Sequence, residues 1–276
     1  MSDFVPKLIA LDIDGTIIEW VDGSGVSGVA GEMIKPAVRD AIHRAYDAGA
    51  HIVLASGRSP HSMAAVADFL ELPKDGDDRL WIVAANGAVI FRYPPVDVVH
   101  EETFDARPAV ETMLTEFPEA VIAVEERGIG YRVSGEFPPG ELSGAQTVAS
   151  LDELLSEPVS RVIVRDPSSS ADDFLAVSSR LGLHGISYVV GWTAWLDLAP
   201  VGISKASGLA YVCDQLDLEP SDVLAIGDGR NDIEMIEWAG RGVAMGQSLD
   251  VLKDVADAVT ESVDNDGAAV EIGLWF

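Results

Sequence analysis

Two stretches of the chain, its first third and its last quarter, alternate short apolar runs with segments whose apolar residues recur at helical spacing. This rhythm constrains the fold more than any other feature of the sequence. Lys7–Ile13 is a nearly continuous apolar run, the pattern of a strand covered on both faces. Ile34–Ala48 carries a helical pattern, and Gly49 behind it is a C-cap candidate. A second strand is expected over His51–Ala55, a helix over Pro60–Leu70 with Pro60 in its first turn, and a third strand over Leu80–Ala85. The last quarter repeats the pattern: a helix over Ser204–Leu216, a strand over Val223–Ile226 and a helix over Asp232–Ala239. A strand over Gly242–Met245, a helix over Leu249–Val255 and a final strand over Ala258–Thr260 follow. Strand–helix–strand units in series predict an α/β fold, a Rossmann-like parallel sheet with right-handed crossovers.

The middle of the chain breaks this rhythm. Between Ala88 and Leu198, short β-like runs (Val121–Glu125, Ile129–Val133, Val159–Val164, Ser187–Val190, Ala194–Leu198) mix with helical patterns over Arg107–Glu116 and Ala171–Leu181. Turn signals such as Tyr93–Pro95 and Pro138–Gly140 are dense. The expectation is a core made of residues 1–87 and 199–276, with an α+β domain of residues 88–198 inserted as a cap. A length of 276 residues accommodates both.

Charge narrows the function. Against 18 basic residues stand 46 acidic ones, a formal net charge of -28. Such a field repels nucleic acid and anionic membrane, both of which are bound through Lys and Arg, so neither is an expected partner. It also repels a phosphorylated metabolite unless the site supplies local cations. No run reaches the ~20 apolar residues of a membrane span, and the N-terminus lacks the pattern of a signal peptide. The single cysteine, Cys213, falls in a helical pattern and reads as a buried thiol. A cytoplasmic protein, monomer or homodimer, is the expectation.

The sharpest local signal is Asp12-Ile13-Asp14-Gly15-Thr16 at the end of the first strand. Alternation along a strand puts Asp12 and Asp14 on one face if the strand persists that far. Carboxylates ~4 Å apart repel by ~4 kcal/mol at an effective dielectric near 20, so a cation is expected beside them. Standing alone, the motif also reads as a solvated turn. The stretch Gly227-Asp228-Gly229-Arg230-Asn231-Asp232 follows the last strong strand. In an open parallel sheet, ligands bind beyond the carboxyl ends of the strands. Both acidic clusters fall on that edge and would form a hard-oxygen site suited to Mg²⁺. Asp232 as a plain helix cap is the other reading. Ser56-Gly57-Arg58 ends the second strand and offers a hydroxyl and a backbone N–H to a phosphoryl oxygen, or is an ordinary turn. Lys205 at a helix start can place a point charge on a phosphoryl group, or is a surface lysine.

In kind and order, these four pieces resemble the motifs of the haloacid-dehalogenase-like hydrolase superfamily. The insert position and the phrase Asn86-Gly87-Ala88 resemble its Cof-type (subclass IIB) phosphatases. Ser56 where Thr is frequent, Ala206 after Lys205 and a long Glu19–Lys35 loop depart from the common pattern. The resemblance implies a Mg²⁺-dependent phosphatase acting on a small phosphorylated metabolite such as a sugar phosphate. Asp12 would be the nucleophile that becomes phosphorylated, and Asp14 the acid and base. It implies that Mg²⁺ binds Asp12, the Asp14 carbonyl, Asp228 and Asp232, and that Ser56, Gly57, Lys205 and Asn231 hold the phosphoryl oxygens. A phosphomannomutase-like phosphomutase on the same fold and a non-catalytic regulatory protein are the alternatives. His43, His51, His61, His100 and His184 lack metal-ligand spacing and read as structural or surface residues. Arg58 reads as a salt-bridge partner before a substrate contact, and Trp192 and Trp195 as packing before a pocket wall.

Overall fold

The computed structural model describes residues 4–19, 34–72, 79–126, 130–142, 144–181, 186–190 and 195–276. In chain order the elements begin with β1 (Leu8–Leu11), α1 (Pro36–Asp47), β2 (His51–Ala55), α2 (Pro60–Phe69), β3 (Leu80–Ala84), β4 (Val89–Tyr93) and β5 (Asp97–Glu101). They continue with α3 (Arg107–Glu116), β6 (Val121–Glu126), β7 (Gly130–Val133), β8 (Ala145–Val148), α4 (Leu151–Leu154), β9 (Val162–Arg165), α5 (Ala171–Leu181), β10 (Ile186–Val190) and β11 (Trp195–Pro200). The last are α6 (Lys205–Leu216), β12 (Val223–Gly227), α7 (Ile233–Trp238), β13 (Arg241–Ala244), α8 (Asp250–Lys253), β14 (Ala258–Val259) and α9 (Gly267–Ile272).

Among the described residues the strands form two sheets. The larger has eight strands in the order β14-β13-β12-β1-β2-β3-β4-β5. It is parallel from β14 to β3 and antiparallel through β4 and β5. The apolar run of β1 is explained by burial on both faces. Ile9 and Leu11 pack with Val38, Ile42, Met63, Val66 and Ile272, while Leu8 and Ala10 pack with Leu209, Val212, Met235 and Leu252. Each such aliphatic side chain stabilises by roughly 1.5–3 kcal/mol when taken from water. Helices thus cover both faces, as a parallel sheet requires. Because β1 sits between β2 and β12, later strands add outward from it in opposite directions, and this switch opens a crevice beyond its carboxyl end.

The smaller sheet has six strands in the order β10-β11-β9-β6-β7-β8. One face packs against helices: Ile122, Val124, Val162, Val164, Leu196 and Leu198 meet Val110, Met113 and Phe174 from α3 and α5. Helix α4 starts in a capping box, with Ser150 accepting from the Glu153 N–H and Glu153 accepting from the Ser150 N–H.

The sequence reading placed residues from Ala88 onward in the insert. The pairing instead carries β4 and β5 in the eight-stranded sheet, with Leu80 opposite Tyr93 and Ala84 opposite Val89. The cause is the tight turn at 85–87, which returns the chain antiparallel so that Val89, Ile90 and Phe91 are buried in the larger core. The helices expected over Arg107–Glu116 and Ala171–Leu181 keep their bounds, the others shorten by one to a few residues at their ends, and Ser204 is an N-cap rather than a helical residue. Gly49 lies just past the C-cap of α1 with a positive φ of 95°, the conformation that favours glycine there. The loop of residues 20–33, His184 and Trp192 lie outside the described residues. No described helix is long and apolar enough to cross a membrane.

Candidate active site

At the carboxyl ends of β1 and β12, two acidic loops and the start of α6 meet. Strand β1 stops at Leu11, and the Asp12 N–H still bonds to the Ile226 carbonyl at 3.0 Å, which fixes the loop against β12. Carboxylate oxygens of Asp12, Asp228 and Asp232 lie within 4.8 Å of one another, and all three residues are buried. Lys205, at the first turn of α6, is fully buried (0 % exposed) and sends Nζ to Asp12 Oδ1 and to Asp232 Oδ1, each at 2.6 Å. The second oxygen of Asp232 accepts the Asp228 N–H at 3.0 Å and the Gly229 N–H at 2.8 Å. Gly227 must be glycine here: a Cβ would stand 2.5 Å from the Asp232 carboxyl carbon.

The electrostatics follow from the burial. Desolvation first, then the Asp232, Asp228 and Asp14 carboxylates, raise Asp12 well above the ordinary carboxylate range, with Lys205 pulling the other way. For Lys205, desolvation works against the charge, yet Asp12 and Asp232 outweigh it and raise its pKa. Among the described residues, three buried carboxylates, all hard oxygen donors, gather around one lysine. That donor set fits a small divalent cation such as Mg²⁺.

Asp14 stands apart from this cluster. With β1 ended at Leu11, the chain turns rather than running on as a strand: Asp14 bridges to Ile18, and the Gly15 N–H bonds to the Ile18 carbonyl at 2.8 Å. The shared face expected from alternation is therefore not what positions Asp14. Its carboxylate is gripped by the buried Arg58 guanidinium, Nε to Oδ2 at 2.9 Å and Nη2 to Oδ1 at 2.6 Å. The cation expected beside the two carboxylates is thus two cations, Lys205 for Asp12 and Arg58 for Asp14.

Ser56 is buried, and its Oγ accepts the Arg58 N–H at 3.2 Å. The loop after β2 is tied to the turn after β3 by Asn86 N–H to the Ser56 carbonyl at 3.0 Å and Ala85 N–H to the Arg58 carbonyl at 2.9 Å. Asn86 has a positive φ of 52°, tolerated best by Asn and Gly, and its Oδ1 accepts from Asn231 Nδ2 at 3.0 Å. Gly57 packs against the Asn86 amide, 3.1 Å from where a Cβ would stand. The structure therefore brings Asp12, Lys205, Asp228 and Asp232 into one cluster and ties Ser56, Gly57 and Asn231 together through Asn86. In the sequence, Asn86 stands out only within the run Asn86-Gly87-Ala88.

Two further contacts had no sequence signal read from them. Thr16 Oγ1 donates to Asp12 Oδ2 at 3.3 Å. Gln247, in the loop after β13, donates to the Gly15 carbonyl and to Asp228 Oδ2 at 3.4 Å, and its Oε1 accepts the Val263 N–H at 3.0 Å. The carboxyl-edge rule that drew attention to Asp12 and Asp228 applies equally to Gln247. Among residues read as structural, Cys213 is a buried free thiol pushed up to about 11 by burial, and Trp195 packs edge-on to Phe137 at 6.3 Å.

Residues 9–272 match the family model of the haloacid dehalogenase-like hydrolases. A 5-amino-6-(5-phospho-D-ribitylamino)uracil phosphatase of Bacillus subtilis is 26% identical over 98% of this chain and 95% of its own. A phosphoglycolate phosphatase of Natronomonas pharaonis is 29% identical over 94% of this chain and 93% of its own. Among solved structures, a haloacid dehalogenase-superfamily phosphatase of Bacteroides thetaiotaomicron superposes with a TM-score of 0.77 at 25% identity, covering 99% of this chain and 96% of that one. With the whole length matched, and the acidic cluster where the motifs resembling that family meet, the chain belongs to the haloacid dehalogenase-like hydrolases, as a phosphatase of the Cof type.

Proposed function

We propose that the chain hydrolyses a small phosphomonoester in a Mg²⁺-dependent reaction that passes through a phosphorylated Asp12. The observation that carries this reading is the convergence of Asp12, Asp228 and Asp232 within 4.8 Å, bridged by a fully buried Lys205. Asp12, Asp228, Asp232 and the Asp14 carbonyl would hold the ion, which when bound supplies charge neutralisation for the phosphoryl oxygens. Asp12 attacks phosphorus as the ester P–O bond breaks, and Asp14 gives the departing oxygen a proton. Asp14, now a carboxylate, takes a proton from the water that attacks the acyl-phosphate. Phosphate leaves, and Asp12 is regenerated. Arg58 orients Asp14 through two parallel hydrogen bonds. Lys205, Ser56, the Gly57 N–H and Asn231 receive the phosphoryl oxygens, and positioning does most of the work in such a transfer.

The substrates named for the relatives carry a ribityl chain in one case and a glycolate in the other, so relatedness leaves the leaving group open. The test is phosphate release from a panel of phosphate esters with Mg²⁺ and with a chelator, joined to acid-quench trapping of phosphoprotein. Release that requires the ion, with label trapped on wild type and absent from Asp12→Asn, is expected. Full turnover by Asp12→Asn would refute the reading.

A further inference from the structure

The face of the six-stranded sheet turned away from its helices carries a row of polar groups in an apolar setting. Ala123, Tyr131, Val133, Phe137, Leu142 and Ile163 form the apolar part. Glu125 lies opposite Tyr131 across β6 and β7. Arg161 stands next to Glu125, one step past the Val124–Val162 pair of β6 and β9. Arg161 is engaged: Nε and Nη2 reach Asp197 Oδ1 at 2.9 and 2.8 Å, and Nη1 donates to the Tyr131 hydroxyl at 3.3 Å.

This row looks onto the candidate active site from both ends. Ser59, the neighbour of Arg58, stands near enough to the Tyr131 hydroxyl to favour its ionised form. Asp197 and Ala199 line a cleft of about 230 Å³ together with Asn86, Ser204, Lys205 and Asn231. Glu125 lies between these ends and is the unsatisfied member. Its Oε2 is buried and has no hydrogen-bond partner among the described residues. A buried acceptor left without a donor carries a desolvation cost that a ligand hydroxyl would remove.

We infer that Glu125 is a specificity residue, with Oε2 accepting a hydroxyl of the leaving group, so that the enzyme favours phosphate esters of polyhydroxy alcohols over esters whose leaving group bears a carboxylate. The inference rests on the phosphatase reading above. A second anion in this position would meet the Glu125 and Asp197 carboxylates, with the Arg161 guanidinium already committed to Asp197. Burial pushes Glu125 up to about 7, against the pull of Arg161 and with a small push from Asp197. The rejection of acids is therefore strongest above that value, where Glu125 is charged. The groups facing it are Arg161 just ahead of β9, Asp197 on β11 and Tyr131 on β7.

The test measures kcat and KM for matched alcohol and acid pairs: 2-hydroxyethyl phosphate with phosphoglycolate, glycerol 3-phosphate with 3-phosphoglycerate, and glucitol 6-phosphate with 6-phosphogluconate. Wild type is expected to prefer the alcohols, with a ratio of kcat/KM values that rises from about pH 6 to about pH 8.5. In Glu125→Gln the ratio should fall by about tenfold, mainly through KM, and lose its pH dependence. Glu125→Asp, which keeps the charge on a shorter stem, should retain part of the preference, and inhibition by inorganic phosphate shows that each variant is folded. A wild type that prefers the acids, or a ratio unmoved in Glu125→Gln, overturns the inference and leaves the phosphatase reading standing. A wild type inactive even on p-nitrophenyl phosphate with Mg²⁺ overturns both.

Discussion

Replacing Lys205 by Met removes the cation that the described residues place inside the acidic cluster, and the size of the effect can be worked from the geometry. Nζ holds Asp12 and Asp232 at 2.6 Å each, and carboxylate oxygens of Asp12, Asp228 and Asp232 lie within 4.8 Å. At an effective dielectric near 20, each like-charged pair at that separation repels by roughly 3.5 kcal/mol. Three such pairs exceed what it costs to protonate one carboxylate near pH 7, about 4 kcal/mol for a group with a reference pKa near 4. The variant therefore takes up a proton, and that cost caps the loss. Lys205→Met should lose about 3–4 kcal/mol of stability near pH 7 without divalent ions, in line with breaking a buried ion pair. The carboxyl that takes the proton has a folded-state pKa above its unfolded value, so the folded state binds more protons in the window between the two. Stability then falls as pH rises through that window, and the deficit should shrink to about 1–2 kcal/mol near pH 5. Added Mg²⁺ binds the folded state alone and should recover part of the loss near pH 8. Urea melts followed by circular dichroism, with chelator and with about 5 mM Mg²⁺, measure each quantity. Equal deficits near pH 5 and near pH 8, with no recovery by the ion, would mean that these carboxylates do not share a cation.

Three other outcomes follow from the same geometry. Glu125 titrates near 4.5 when unfolded and at about 7 when folded, so between those values the unfolded chain has released a proton that the folded one retains, and stability falls as pH rises through that window. Glu125→Gln should thus be more stable than wild type by roughly 2–3 kcal/mol near pH 8 and about equal near pH 4, as read by urea melts. Gly87→Ala places a Cβ 2.1 Å from the Ser204 carbonyl oxygen at a φ of 103°, displacing the N-cap of the helix that carries Lys205. It should lower both the melting temperature and kcat, and a variant with wild-type kcat would contradict this. Arg58→Lys keeps the charge but loses the two-pronged grip on Asp14, and a fall in kcat of about tenfold is expected without a change in Mg²⁺ affinity by calorimetry.

What was legible in the sequence was what local pattern determines. The run Lys7–Ile13 reads as a doubly covered strand because both of its faces meet helices. Asp12 and Asp228 could be placed on one edge because a parallel sheet delivers every strand to the same side. Strands β4 and β5 were missed because the turn signals at Tyr93–Pro95 look like the boundary of an insert. They are a hairpin at the edge of the core sheet, with Asp97 back opposite Arg92. Only long-range pairing distinguishes the two. Alternation puts Asp14 on the face of Asp12 only if the strand runs on to Asp14; it ends at Leu11, and Arg58, which reads as a salt-bridge partner, is the group that fixes Asp14. Glu125, Arg161 and Asp197 lie in or beside three mainly apolar strands, yet their meeting depends on the register of those strands, which no local pattern encodes.

The charge balance of the site reconciles a strongly acidic chain with an anionic ligand. Among the described residues, Lys205 and Arg58 are the buried cations that meet Asp12, Asp14 and Asp232. Asp12, Asp228 and Asp232 are hard oxygen donors close enough to share a divalent ion. Such an ion would lower the repulsion that a phosphate dianion meets from them at close range, which hydrogen bonds worth about 1 kcal/mol each offset only in part. The surface charge of the chain adds to this only weakly, since exposed groups more than ~8–10 Å away are screened by physiological salt. On the phosphatase reading, phosphate binding is therefore expected to depend on the metal through the site's own carboxylates rather than through the overall net charge of -28.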